Sequence, residues 1–165
     1  MSEAIISFFE GFNLSKELLV FLISMIPIVE LRGAIPVGVA MGIDSWLLYF
    51  LTVLGNCMPV PFIILLARPI LNWLLKTKIF RGLGNWLENK VRKNQDKVLK
   101  YEVFGLMIFV AIPLQGTGAW TGALVAAVLD MRLKKSFPSI LLGVMIAGII
   151  MLFGSNIVKF IIGLF

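Results

Sequence analysis

Two ionisable residues, Glu30 and Arg32, lie two positions apart inside a strongly apolar stretch of the sequence. An ionised side chain at the centre of a membrane helix costs roughly 2.5 to 3.5 kcal/mol, so such residues normally face a partner or a wet cavity. Arg32 offers a planar cation for an anionic group. Desolvation raises the pKa of a carboxyl group, so Glu30 is a candidate proton carrier. The alternative is a structural pair whose charges neutralise each other.

Helix-breaking residues surround this pair, and a similar break recurs in the second half of the sequence. The first break covers residues 26–38 and contains Pro27, while the second covers residues 112–122 and contains Pro113. Non-helical backbone is tolerated at membrane depth only where protein buries it or where it lines a cavity. A repeated break is therefore typical of a transport site. The candidate substrate-binding residues are Glu30, Arg32, Gly33, Gln115, Gly116, Thr117 and Gly118.

The residues of this set that carry no charge contribute hydrogen bonds or backbone freedom. Gln115 and Thr117 can hydrogen-bond but cannot hold a charge. Gly33, Gly116 and Gly118 permit tight turns and let short helices approach closely, and neither property by itself demonstrates ligand binding. The ionisable pair therefore carries the predicted chemistry, with Glu30 as the proton-coupling residue.

The composition places these residues in a membrane protein. Apolar residues make up 59% of the 165 positions, charged residues make up 15%, and the mean hydropathy is +0.99. A soluble domain of this length is far less apolar. The net charge of +6 could indicate nucleic-acid binding. However, the basic residues cluster beside apolar segments, which favours contact with the cytoplasmic leaflet.

Four apolar stretches are long enough to enter a bilayer. Residues 45–67 and 138–158 contain no Asp, Glu, Lys or Arg. At about 1.5 Å per residue, each can cross a hydrocarbon core about 30 Å thick as a plain span. The stretches that contain the breaks, residues 18–43 and 103–129, could each form either a kinked span or a re-entrant hairpin.

The charges of the connecting segments favour re-entrant hairpins. Residues 68–100 hold nine Lys or Arg against two acids, so the positive-inside rule places them in the cytoplasm. Residues 131–137 contain three further basic residues. They return to the cytoplasm only if the stretch 103–129 enters and leaves on one side. The sequence therefore predicts an inverted repeat in a multi-pass protein of the cytoplasmic membrane.

The predicted fold is a single all-α integral membrane domain over residues 1–165. Its parts are an interfacial segment (1–13), a first repeat (14–67, with hairpin 14–44 and span 45–67), a basic amphipathic cytoplasmic connection (68–100), and a second repeat (101–162, with hairpin 101–130 and span 138–162). Asp44 and Asp130 are predicted to be turn or cap residues at the hairpin ends.

The two breaks carry a resemblance to a known family. Residues 30–38, Glu-Leu-Arg-Gly-Ala-Ile-Pro-Val-Gly, and residues 113–120, Pro-Leu-Gln-Gly-Thr-Gly-Ala-Trp, resemble the small multidrug export proteins and, more distantly, the DedA superfamily. This resemblance implies two oppositely inserted re-entrant hairpins. It also implies proton-linked movement of a lipid, with a polyprenyl phosphate as the leading substrate. The wider superfamily has an arginine in the second hairpin, where this chain has Gln115 and Thr117.

Three classes of function follow from these observations. A proton-coupled translocase of an anionic lipid needs a deep cation, which Arg32 provides. The alternative, a proton-coupled exporter of small molecules or drugs, needs an acid such as Glu30, although Arg32 would repel a cationic substrate. An intramembrane enzyme is disfavoured, because the chain has no histidine and no Gly-x-Ser-x-Gly sequence. No catalytic residue, metal or cofactor is therefore predicted.

The predicted partners follow from the same features. They are a membrane lipid or small-molecule substrate, protons, and anionic lipid headgroups at the basic connection, with no nucleic acid. A solvated loop is the alternative for that connection. A homodimer would shield from lipid two hairpins that are too short to span the bilayer.

Overall fold

The computed structural model describes residues 15–76, 95–114 and 116–163. Within these residues the fold is all-α, as predicted. The helices are α1 (Lys16–Met25), α2 (Glu30–Ala40), α3 (Ser45–Cys57), α4 (Val60–Lys76), α5 (Gln95–Ala111), α6 (Ala119–Val128) and α7 (Leu133–Ile162). The predicted interfacial segment 1–13 lies outside the described residues, and so do residues 77–94 of the basic connection.

Both predicted breaks interrupt the helices, and proline explains their positions. A residue that precedes proline is disfavoured in the α conformation. Ile26, which precedes Pro27, is extended with φ −71° and ψ 128°, and α1 ends at the residue before it. Helix α5 ends at Ala111, just before the residue that precedes Pro113. The chain resumes a helix only at α2 and α6.

Helices α1 and α2 lie antiparallel on either side of the first break. The Lys16 side chain at the start of α1 donates a hydrogen bond to the Met41 carbonyl at the end of α2, at 3.2 Å. Between these ends, Leu19 and Ile23 of α1 pack with Ala34 of α2 in a buried cluster. The chain therefore turns back on itself at residues 26–29.

Two helical stretches of the described residues are long and apolar enough to cross a membrane. They are Ser45–Ala67, which combines α3 with the first turns of α4, and Leu133–Ile162, which is α7. Large apolar side chains project outward from both stretches; for example, Phe62 is 63% exposed and Phe153 is 67% exposed. Surfaces of this kind are stable against hydrocarbon and unusual against water.

The second stretch begins at Leu133 rather than at Pro138, where the predicted span starts. Arg132 caps the helix in an extended conformation, with φ −60° and ψ 133°. Pro138 lies within the second turn, where it removes one backbone hydrogen bond without ending the helix. Lys134 and Lys135 therefore lie in the first turn of α7, and Arg132 is its N-cap.

The turns that follow α2 and α6 have the same geometry. After α2, Gly42 has φ +75° and the Ile43 N–H donates to the Gly38 carbonyl at 3.1 Å. After α6, Asp130 has φ +50° and the Met131 N–H donates to the Ala126 carbonyl at 2.9 Å. Both are helix C-terminal turns that close through a left-handed residue.

Asp44 is confirmed as a helix cap. Its carboxylate accepts hydrogen bonds from the backbone N–H groups of Trp46 at 3.0 Å and Leu47 at 3.1 Å, at the start of α3. Asp130 instead occupies the left-handed position of the turn after α6.

In the first half of the protein (α1–α4) helix α1 packs closely on α3, and in the second half (α5–α7) helix α5 packs closely on α7. A Cβ atom at Gly55 of α3 would lie 2.5 Å from the Phe21 carbonyl oxygen of α1. A Cβ atom at Gly143 of α7 would lie 2.7 Å from the Met107 carbonyl oxygen of α5. Only glycine fits at either contact without a backbone shift, so the two halves use the same kind of close approach.

Candidate functional site

Glu30 lies at the start of α2, with its side chain directed into the second half of the protein. Its backbone is left-handed, with φ +49°, and the residue is 5% exposed. A Cβ atom at Gly118 would lie 1.6 Å from Glu30 Oε2, so the carboxylate rests directly against that glycine. Glu30 Oε1 accepts a hydrogen bond from the Trp120 backbone N–H at 3.3 Å. The carboxylate therefore occupies the N-terminus of α6, where free N–H groups and the helix dipole favour an anion.

Arg32 binds the backbone of the second break. Its Nη1 donates to the Leu114 carbonyl, and its Nη2 donates to the Ile112 carbonyl at 3.0 Å and to Thr117 Oγ1 at 3.0 Å. These carbonyls lie beyond the last turn of α5, where Pro113 has ended the helix. The guanidinium thus satisfies backbone groups that the break has left without helical partners.

Glu30 and Arg32 form an ion pair with a long separation. Arg32 Nη1 lies 3.8 Å from Glu30 Oε2, and the two side chains are 12% and 7% exposed, respectively. This separation is beyond hydrogen-bonding distance. Both side chains direct their hydrogen bonds to the second break and the start of α6, so the pair joins α2 to the other half of the protein.

Thr117 supports the same contact from the second break. Its hydroxyl oxygen accepts from Arg32 and lies 2.7 Å from the Ile112 carbonyl and 2.8 Å from the Leu114 carbonyl. A hydroxyl has one hydrogen, so it donates to one of these carbonyls at a time. Thr117 therefore holds the two carbonyls near each other, in the position that Arg32 requires.

The structure brings most of the predicted binding residues together. Glu30, Arg32, Thr117 and Gly118 form one cluster of direct contacts. Gln115 lies outside the described residues. The sequence identified these residue types, but it did not predict that Arg32 would bind carbonyl groups of the second break.

A cavity of about 190 Å³ lies beside this cluster. It is lined by residues 27–30, Arg32, Gly33, Gly116 and Thr121. Gly116 has φ +87°, a left-handed conformation that favours glycine, so it forms the turn of the second break. The cavity is therefore bounded by both breaks and by both ionisable side chains.

The chemistry available at this site is binding and proton exchange. Among the residues that the structure describes, no group of three or more His, Cys, Asp or Glu side chains could hold a metal ion. The site holds one buried carboxylate, one guanidinium and several backbone carbonyls. Such groups can hold or release a proton and can hydrogen-bond a ligand.

Comparison with known proteins identifies the family of this chain. The family model described as "Putative small multi-drug export protein" matches residues 30–150. The chain belongs to this family. No curated protein and no solved structure matches the chain significantly. The small multidrug export match begins at Glu30 and continues into α7, so it includes both ionisable residues and the second break. Export membership and two long apolar helices together indicate a membrane protein.

Trp120 is a site residue that the sequence prediction missed. Its backbone N–H donates to Glu30, and its indole Nε1–H donates to the Met25 carbonyl at the end of α1, at 3.1 Å. A buried indole N–H needs an acceptor. The tryptophan directly after Gly118 and Ala119 was therefore a usable signal for a polar contact at the second break.

Proposed function

We propose that this small multidrug export protein moves small molecules out across the membrane in exchange for protons, with Glu30 as the proton carrier. The observation that carries this proposal is the contact of α2 with the other half of the protein. Glu30 binds the start of α6, and Arg32 binds the carbonyls of Ile112 and Leu114. Charged groups of the first break thus hold the second break in place.

Protonation of Glu30 would weaken this contact. A neutral carboxyl group interacts less with the N-terminal end of a helix dipole and loses its attraction to Arg32. The Trp120 N–H would then have a poorer acceptor, and α6 would be held less firmly against α2. Proton binding to Glu30 is linked in this way to the opening of a path between the two halves. Deprotonation of Glu30 restores the closed contact.

Translocation of an anionic lipid such as a polyprenyl phosphate requires a cation that is free to bind phosphate. The Nη atoms of Arg32 already donate to the Leu114 carbonyl, the Ile112 carbonyl and Thr117. These bonds would have to break before a phosphate could bind in their place. This arrangement favours export of small molecules over movement of a lipid phosphate.

We propose that the two halves are oppositely inserted re-entrant hairpins, each followed by a span. Three pairs of local features support this inverted repeat. They are the proline-terminated helices α1 and α5, the left-handed turns after α2 and α6, and the close glycine contacts at Gly55 and Gly143. Short hairpins that meet at their breaks are a known architecture for a transport site.

The inverted topology predicts which positions are accessible from each side of the membrane. In a Cys57→Ser background, a cysteine that replaces Lys134 should react with a membrane-impermeant thiol reagent only from the cytoplasm. A cysteine that replaces Asp44 should react only from outside, since the link before α3 carries no basic residue. Both positions are exposed. Labelling of both cysteines from the same side would contradict the inverted arrangement.

Proton coupling through Glu30 predicts a specific change in transport. Reconstituted native protein should move tetraphenylphosphonium, a lipophilic cation, at a rate that rises with the imposed pH gradient, because Glu30 and the carbonyls bound by Arg32 offset the positive charge of the guanidinium. Glu30→Gln keeps the shape of the side chain and removes the exchangeable proton, so its transport rate should no longer depend on the gradient. The measurement is proteoliposome flux at several gradients, with a polyprenyl phosphate assayed in parallel as the other candidate substrate.

Glu17→Gln is the matched control, because Glu17 is an exposed acid in the first turn of α1. This variant should keep the native dependence on the gradient. If Glu30→Gln also kept it, the proton carrier would lie elsewhere and the ionisable pair would be a structural element. Gradient-dependent flux of the polyprenyl phosphate alone would favour the lipid translocase instead.

A further inference from the structure

An apolar groove of about 490 Å³ lies next to the cluster of Glu30, Arg32, Thr117 and Gly118. It is separate from the cavity of about 190 Å³ beside that cluster. It is formed by the end of α1, the junction of α3 with α4, and the start of α6. The residues that define it are Met25, Met58, Pro59, Phe62, Leu66 and Trp120. No charged or hydroxyl-bearing side chain lines it. Its volume is within the range of sites that bind drug-sized molecules.

The groove opens on the outward apolar face of the first apolar span. Met58, Phe62 and Leu66 recur at one-turn spacing along the first apolar span and are 54%, 63% and 64% exposed. They belong to the outward face of a helix that is long enough to cross the membrane. A molecule dissolved in the bilayer can therefore reach the groove sideways, without first entering water.

The inner wall of the groove is connected directly to Glu30. Trp120 lines the groove, and its backbone N–H is the donor that holds Glu30 Oε1 at 3.3 Å. Met25 lines the groove as well, and its carbonyl accepts the indole hydrogen of Trp120 at 3.1 Å. Whatever fills the groove thus contacts the residue that positions the proposed proton carrier.

The chemistry of the lining distinguishes between two occupants. A lipid chain already lies in hydrocarbon, so it gains no hydrophobic free energy by moving into a groove of equal polarity. An aromatic ring gains more, because the Trp120 and Phe62 rings offer edge-to-face contacts and the Met25 and Met58 sulfur atoms interact favourably with aromatic rings. The lining therefore favours aromatic rings over aliphatic chains.

We infer that this groove binds the aromatic rings of a lipophilic small molecule that enters from the bilayer, and that Trp120 connects this binding to Glu30. The inference rests on the proposed export function and names the class of its substrate. Equilibrium binding to the groove needs no pH gradient. It can therefore be tested separately from transport.

The test is equilibrium binding of radiolabelled tetraphenylphosphonium to the purified protein in detergent, with no pH gradient. Ala67→Phe adds a ring to the wall of the groove and should weaken binding about tenfold or more, because the probe and the new ring compete for the same volume. Leu65→Phe is the matched control. Leu65 is 54% exposed, belongs to the same helix and does not line the groove, so this variant should bind within about twofold of native.

Phe62→Leu keeps the test decisive if Ala67→Phe fails to fold. It removes one aromatic ring from a lipid-facing position and should weaken binding by about threefold to tenfold. Equal affinities for the native protein, the groove variants and the Leu65→Phe control would overturn the inference. Normal binding without gradient-dependent transport would preserve the site and remove the proposed proton coupling instead.

Lipid occupancy is the other outcome to measure. With Trp46, Trp73 and Trp86 replaced by phenylalanine, Trp120 is the only remaining tryptophan. Tetraphenylphosphonium should change the emission of Trp120 and protect it from quenching by phosphatidylcholine with brominated chains. Strong quenching that the probe does not relieve would place a lipid chain in the groove and overturn the inference.

Discussion

Replacing Arg32 by leucine is expected to lower the free energy of unfolding by about 3 to 5 kcal/mol, the cost of removing one partner from a buried ion pair. The change leaves the Glu30 carboxylate without its counter-charge. It also leaves the Ile112 and Leu114 carbonyls without the donors that Arg32 supplies. The measurement is unfolding of the purified protein by titration with SDS in mixed micelles.

Lys16→Leu is the control for this prediction. Lys16 also donates a side-chain hydrogen bond to a backbone carbonyl, that of Met41, but it does so at an exposed position. Its loss should cost no more than about 1 kcal/mol. An Arg32→Leu variant as stable as Lys16→Leu would show that the guanidinium does not hold the two halves together.

The double variant Glu30→Gln with Arg32→Gln separates stability from transport. Replacing both buried charges by neutral, hydrogen-bonding groups is often close to neutral for stability, so this protein should recover most of what Arg32→Leu loses. Its transport should still show no dependence on the pH gradient, because the exchangeable proton is absent. A stable double variant with native, gradient-dependent transport would remove both the proton role of Glu30 and any substrate role of Arg32.

Gly118→Ala should also have a large effect on stability and on transport, although it adds a single methyl group. The new Cβ atom would lie 1.6 Å from Glu30 Oε2, so the carboxylate has to leave the start of α6. Overpacking of this kind costs about 1 to 3 kcal/mol, and here it also separates Glu30 from the Trp120 N–H. We expect lower stability in the SDS titration and a transport rate that no longer follows the pH gradient.

Gly105→Ala is the matched control in the same half of the protein. Gly105 lies inside α5, and a Cβ atom there would meet nothing within 4 Å. Alanine is favoured over glycine in a helix interior by about 1 kcal/mol, so this variant should be slightly more stable and should transport normally. Equal losses from both substitutions would mean that Gly118 does not position Glu30.

The helical pattern of the chain could be predicted because local rules determine it. Pro27 and Pro113 end helices through the residue that precedes each of them, and an aspartate before an apolar run caps the helix that follows. Helix α7 begins five residues before the predicted span, because Pro138 fits within the second turn of the helix. A proline near a helix start gives no reliable boundary from sequence alone.

The contacts of the site could be predicted only in part. Glu30, Arg32 and Thr117 stand out because polar groups are costly inside apolar stretches. The partners of Arg32 do not stand out, because Ile112 and Leu114 contribute carbonyl oxygens that every residue carries. Side-chain type holds no information about such contacts. Only the packing of α2 against the second break brings these groups within reach.

The distance along the chain between Arg32 and its acceptors has a consequence for biosynthesis. Leu114 follows Arg32 by 82 residues, so at about 5 to 20 residues per second the ribosome needs roughly 4 to 16 s to make it. During that interval the guanidinium has none of its final acceptors. Glu30, made almost at the same moment, is the counter-charge already at hand. We therefore expect the pair that later joins the two halves to act first as a local charge pair, which lowers the cost of placing a newly made arginine in an apolar environment.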